Sequence, residues 1–178
     1  MNEFRRDLQF SHEAEDLPIW KQVYAEAFPG MIKIVSYRQN GEHQAAGIDR
    51  GVYLWNAKEI LVDEKVRRKD YGDIALEFLS NDKTGALGWV CKPLRADYIA
   101  YAILDVGRCF LLPVIQLQTS WEKFGASWRE RFGIRHAANP GYRTHFCPVP
   151  VNEVYCRIGG CLRVSFSPIA ESSSCPER

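Results

Sequence analysis

Gly47-Ile48-Asp49-Arg50-Gly51-Val52-Tyr53-Leu54-Trp55 and Glu59-Ile60-Leu61-Val62-Asp63-Glu64-Lys65-Val66-Arg67 are two runs rich in β-formers, separated by Asn56-Ala57-Lys58. Two such runs joined by a short polar link read as a β-hairpin. Side chains alternate across a strand with a period of two. Leu61, Asp63 and Lys65 therefore share one face, while Ile60, Val62, Glu64 and Val66 share the other. Counting outward from the link sets Trp55 opposite Glu59 and brings Asp49 near Lys65. Asp49, Asp63 and Lys65 are thus expected together at one end of the hairpin.

Those residue types suit a particular chemistry. Two convergent carboxylates, helped by the backbone carbonyl of Glu64, make a hard oxygen site of the kind that holds Mg²⁺ or Mn²⁺. Such an ion lowers the pKa of a bound water and neutralises charge on a phosphate oxygen. A lysine beside it orients that water or stabilises the charge that develops in a phosphoryl transition state. Glu77, on the next strand, is a further candidate ligand. The same residues also fit a plain ion pair on an amphipathic hairpin, because the D-x-K spacing alone is a weak pattern.

Outward from the hairpin, the chain reads as a mixed α/β domain. Asp16 as N-cap, Pro18 in the first turn and Trp20, Val23, Tyr24 and Ala27 at helical spacing predict a helix closed by Phe28-Pro29-Gly30. Met31 to Tyr37 reads as a strand, followed by an Asn40-Gly41 turn. Asp73 to Leu79 is a third strand of mixed pattern. Asp97 to Leu104 and Arg108 to Leu112 are short apolar runs of the kind buried on both faces. Gln116 to Phe132 carries Leu117, Trp121, Phe124 and Trp128 down one helical side, so its tryptophans, like Trp20, are expected to pack a core. Asn139-Pro140-Gly141 is a turn, and Tyr142 to Pro148 and Ile158 to Ser165 are strand candidates. Residues 1–170 are expected to form one domain, with 171–178 a flexible tail.

Composition sets the limits. The 178 residues include 46% hydrophobic and 25% charged, which excludes disorder and fibrous classes. The net charge of +1 means that any nucleic-acid contact comes from a local patch. No run approaches the length of a membrane span, and Met1 to Phe10 has no apolar leader, so a cytoplasmic location and no membrane partner are expected. Six irregularly spaced cysteines then read as reduced thiols. His145, Cys147, Cys156 and Cys161 lack the close Cys pairs of zinc sites. His43 and His136 have no evident partner. Arg67, Arg68 and Lys69 continue the second strand and are candidate phosphate contacts. Gln44, read as lying on a strand just upstream of Asp49, is a candidate for bonding a substrate or a metal-bound water, and Lys92 reads as a surface lysine.

Gly47-Ile48-Asp49, Val62-Asp63-Glu64-Lys65 and Asp73-Ile74-Ala75-Leu76-Glu77 together resemble the PD-(D/E)XK nuclease superfamily, which has the restriction-endonuclease-like fold. Gly88-Trp89-Val90, the Ala96 to Tyr101 run and Asn139-Pro140-Gly141-Tyr142-Arg143-Thr144 leading to Val149-Pro150-Val151 resemble its phage and bacterial branches. The resemblance covers residues 13–155. It implies an αβββαβ core with a mixed central sheet flanked by helices. Asp49 is then the first metal ligand, Asp63 the acid of the (D/E)-x-K motif and Lys65 the catalytic lysine. The implied activity is Mg²⁺- or Mn²⁺-dependent hydrolysis of DNA phosphodiesters in a bacterial cell or phage-infected host; a homodimer is a separate expectation, because cutting both strands of a duplex usually takes two active sites. The alternative is an inactive nuclease-fold protein that binds nucleic acid or serves assembly. Ile48 stands where the motif has proline, and the acid of the first helix is Glu13, Glu15 or Glu26.

Overall fold

The computed structural model describes residues 17–169. Asp16, Glu13, Glu15, Cys175 and the predicted 171–178 tail lie outside them. Helix α1 (Ile19–Ala27) is followed by β1 (Met31–Ser36), a short helix α2 (Gly41–Ala45), β2 (Arg50–Leu54) and β3 (Glu59–Arg67). Then come β4 (Asp73–Asn81), β5 (Ala86–Leu87), β6 (Tyr98–Ile103) and β7 (Arg108–Pro113). Helix α3 (Val114–Phe132), β8 (Arg135–Asn139), β9 (Tyr142–Pro150), α4 (Val151–Ile158) and β10 (Leu162–Ser165) complete the order.

The strands make two sheets. One has the order β1-β2-β3-β6-β7-β10, the other β5-β4-β9-β8. The first is mixed: β3 and β6 run parallel, and every other neighbouring pair is antiparallel. A parallel pair needs a crossover. Here β4, β5 and the segment 88–97 provide it, with no helix among residues 68–97. The chain is thus a mixed α/β fold with helices flanking a mixed sheet, and the helix expected before the last strand of an αβββαβ order is replaced by strands.

Alternation along β6 and β7 explains why both runs are apolar throughout. Ile99, Tyr101, Ile103, Phe110 and Leu112 face a core shared with Ile74 and Leu76 of β4, Cys147 and Val149 of β9, Trp121 and Trp128 of α3 and Val154 and Ile158 of α4. Ala100, Ala102, Cys109 and Leu111 face the other way, against Trp20, Val23 and Tyr24 of α1 together with Val52 and Val62. The small alanines let α1 lie close to the sheet. Burying one large apolar side chain contributes about 1.5–3 kcal/mol, so these two cores hold the layers together. Trp121 lies against Gly125, where a Cβ would fall 2.9 Å from the ring.

Several boundaries differ from the expectation. Pro18 is the N-cap of α1 and makes no side-chain cap bond. Asn40-Gly41 opens helix α2 instead of a simple turn, because the side-chain Oδ1 of Asn40 accepts from the backbone N–H of Glu42 and His43. Gln44 is therefore on a helix, not a strand. Ile158 ends α4, and the last strand begins at Leu162. The β2–β3 register is also shifted: Tyr53, not Trp55, sits opposite Glu59. The turn keeps three residues but moves back by one, to Trp55-Asn56-Ala57: the Leu54 N–H donates to the Lys58 carbonyl, and Ala57 takes a left-handed φ of 60°.

Candidate metal centre

The shifted register decides which groups meet. Arg50 is paired with Val62, and Asp49, just beyond the paired ladder, also donates its N–H to the Val62 carbonyl at 2.9 Å, which holds it beside the Val62-Asp63-Glu64 stretch of β3. Lys65 lies two residues further along β3. Asp49 and Asp63 are both buried, with side-chain exposures of 10% and 5%. Lys65 donates to Asp63 Oδ1 at 2.5 Å and lies 3.4 Å from the Glu64 carbonyl oxygen. The three residues expected together are together, with Asp49 close to both Asp63 and Lys65.

Asp49 is held from three sides. The Glu64 N–H donates to its Oδ2 at 2.7 Å, Gln44 Nε2 donates to its Oδ1 at 3.0 Å, and Arg38 Nη2 lies 3.3 Å from Oδ2. Gln44 thus orients the carboxylate instead of standing free for a substrate. Burial pushes the Asp49 pKa up, but Lys65 and Arg38, with the donors from Glu64 and Gln44, outweigh it and leave the group below its ordinary value. Asp63 goes the other way. Burial raises it, Lys65 pulls it down, and the neighbouring Asp49 charge adds to the rise, so the net shift is upward. Its Oδ2 is buried and accepts no hydrogen bond.

Glu64 points to the opposite face, as strand alternation requires. Its side chain is 0% exposed and accepts from Tyr24 Oη at 2.6 Å, Arg38 Nη2 at 2.7 Å and Arg50 Nε at 2.7 Å. Burial raises its pKa; Arg50, Tyr24 and Arg38 oppose the rise without cancelling it. Arg38 spans Glu64 and Asp49, so the helix-side network and the carboxylate pair are mechanically one unit. Sequence reading missed Tyr24, Arg38 and Arg50. The available signal was that a buried acid on an apolar strand face requires cationic partners.

Glu77 approaches from the second sheet. Arg67 Nη1 bonds Asp73 Oδ1, and the Ala75 N–H donates to Tyr101 Oη, the register neighbour of Lys65. Glu77, two residues on from Ala75 and on the same strand face, is thereby carried toward Asp63 and Lys65. Burial lifts its carboxyl pKa against the opposing charge of Lys65. Burial lowers the Lys65 pKa, but Asp63, Asp49 and Glu77 together hold the ammonium above its ordinary value.

The basic run divides. Arg67 is committed to Asp73 and covers the Tyr71 ring, so it is not the free phosphate contact expected. Arg68 is half-buried and Lys69 exposed. Glu26 sits exposed on α1. Cys147 is buried in the core, Cys156 is exposed and Cys161 is half-buried, all as free thiols, and Cys109 is a further buried thiol on β7. His145 lies by Asp82, and His43 stacks on Tyr37. Among the described residues, no three His, Cys, Asp or Glu side chains converge with metal-ligand spacing. No helix of the described residues is long and apolar enough to cross a membrane. No family model, no curated protein and no solved structure matches the chain.

Proposed function

We propose that this chain is a metal-dependent nuclease of the restriction-endonuclease-like class, hydrolysing DNA phosphodiesters at Asp49, Asp63 and Lys65, and working as a homodimer. The observation that carries the proposal is the Asp63 Oδ2 atom. A carboxylate oxygen buried without a donor, beside a second carboxylate, costs free energy that a bound cation offsets. Two carboxylates and the nearby Glu64 carbonyl are hard oxygen donors, which fit Mg²⁺ or Mn²⁺. When bound, such an ion supplies Lewis-acid stabilisation and a more acidic water.

The chain's own groups have separate tasks. Arg38, Gln44 and the Glu64 N–H keep Asp49 ionised and aimed at Asp63. Lys65 keeps an ammonium beside the pair, where it stabilises negative charge developing on a phosphate oxygen. The α1-β1-β2-β3 order followed by a parallel β6 supports the proposed fold class. DNA as substrate rests on the sequence resemblance and on the basic run ending β3.

The test is cleavage of supercoiled and linear DNA in Mg²⁺ or Mn²⁺ by the wild type, Asp63→Asn and Lys65→Met. Both variants are expected to lose about a hundredfold or more in rate. Equal cleavage by all three overturns the proposal. A second reading, a nucleic-acid-binding or assembly protein without catalysis, is favoured by the charge balance. Asp49, Asp63 and Glu64 are matched by Arg38, Arg50 and Lys65 with no ion present. Metal-independent mobility shifts with no cleavage under any condition support that reading.

A further inference from the structure

The same charge balance raises a question that the proposed function leaves open. Asp49, Asp63 and Glu64 already pair with Arg38, Arg50 and Lys65, and Glu77 lies nearby, so a divalent ion entering between Asp49 and Asp63 meets cations already bonded to its ligand carboxylates. One cation must give way. Arg38 and Arg50 are tied to the fully buried Glu64 on the other face of the sheet. Lys65 is different: its side chain is 31% exposed, and Asp63 Oδ1 is its only carboxylate contact within ion-pair distance among the described residues. A lysine stem is flexible, and its compact ammonium is easily re-sited.

A receiving group is at hand. The Arg67–Asp73 ion pair and the Ala75–Tyr101 bond set β4 against the end of β3 and carry Glu77 toward Lys65, beyond ion-pair distance while Lys65 holds Asp63. Gly88 fixes the height of Glu77. It lies so close to the Glu77 backbone that a Cβ would fall 2.3 Å from the carbonyl oxygen, and the Val90 N–H donates to that same oxygen at 3.1 Å. The electrostatic influence of Glu77 on Lys65 points the same way.

We propose that Lys65 is a built-in counter-ion that occupies the carboxylate pair in the metal-free chain and shifts to Glu77 when a divalent cation binds Asp49 and Asp63. This rests on the proposed metal site and deepens it. Glu77 becomes a positioning residue acting through Lys65, not a metal ligand, and the ammonium ends clear of the ligand oxygens with its charge still at the site. No bond is made or broken; the change is an exchange of ion-pair partners.

The test is Mn²⁺ binding to the full chain at about pH 8, above the ordinary carboxylate range, by titration calorimetry and the loss of the free Mn²⁺ spin-resonance signal. Lys65→Met removes the competing cation, so Mn²⁺ is expected to bind about tenfold tighter or more, although cleavage is lost. Glu77→Gln takes away the receiving charge and is expected to weaken Mn²⁺ by severalfold. In the Lys65→Met background, Glu77→Gln is expected to have almost no effect, a coupling that general loss of structure does not produce. Unchanged or weaker Mn²⁺ binding by Lys65→Met overturns the inference while leaving the metal site standing. An equal loss from Glu77→Gln in both backgrounds also overturns it, because Glu77 is then a direct ligand. Absence of Mn²⁺ binding in every variant overturns the metal reading itself, and the inference with it.

Discussion

Replacing Glu64 with alanine removes the acceptor that joins α1, the loop after β1, β2 and β3. Tyr24, Arg38 and Arg50 all end on this one carboxylate, which has no solvent exposure. Charge-assisted bonds contribute about 1.5–3 kcal/mol each and a neutral one about 1 kcal/mol. Their simple sum overstates the loss, because the three share one acceptor and are not additive. The better guide is that removing one member of a buried ion pair costs about 3–5 kcal/mol. Arg38 and Arg50 keep 19% and 13% exposure, so water recovers part of that cost and the lower half of the range applies. For a chain of this size, each kcal/mol is worth roughly 2–4 °C in Tm. The expected drop is therefore about 6–16 °C by calorimetry, with a matching fall in the urea midpoint at unchanged m-value. Glu64→Gln keeps volume and one acceptor oxygen and is expected to lose about half as much. A loss below about 1 kcal/mol for Glu64→Ala refutes the network as a structural hub.

Tyr24→Phe removes only the 2.6 Å bond from α1 to Glu64 and is expected to cost about 1–2 kcal/mol in urea unfolding. Gly88→Ala presses a methyl group onto the Glu77 backbone, which cannot rotate away; a loss of about 1–3 kcal/mol is expected by the same assay. Asp49 and Asp63 are expected to show opposite pH dependence. Asp49 has a lowered folded pKa, so its contribution is present above the unfolded value and disappears as pH falls through the folded one. The cost of Asp49→Asn is thus expected to be largest near neutrality and to fade in acid. Asp63 has a raised folded pKa, so its ionisation weakens the fold as pH rises through that value. Relative to wild type, Asp63→Asn is expected to gain stability between acid and neutral pH in metal-free thermal melts; a parallel pH profile for the two variants contradicts the assignment.

The hairpin, the buried β6 and β7 and the long helix α3 were legible because period-two and 3.6-residue patterns are local properties of those runs. Parity along β3 also assigned Asp63 and Lys65 to one face and Glu64 to the other, and the side-chain partners follow that assignment. The register was not legible. It depends on a three-residue turn moved back to Trp55-Asn56-Ala57, with Ala57 at a positive φ that no glycine announces, and it leaves Asp49 just beyond the paired ladder, bonded to Val62. Arg135–Asn139 has no alternating apolar pattern and becomes a strand only through its pairing with β9. The helix α4 did leave a signal. Pro150 before it, Glu153 in its first turn, Arg157 in its last and Val151, Val154 and Ile158 on one side all mark a helix. The division into two sheets, and hence the approach of Glu77, follows from long-range packing that a single sequence does not encode locally.

The most direct test of the metal centre is anomalous diffraction from a crystal of the wild-type chain soaked in Mn²⁺. The expected result is a manganese peak between the Asp49 and Asp63 carboxylates, with Lys65 Nζ withdrawn from Asp63 Oδ1, and no such peak in Asp63→Asn. A saturating soak that leaves no peak there, with Lys65 still bonded to Asp63, contradicts it.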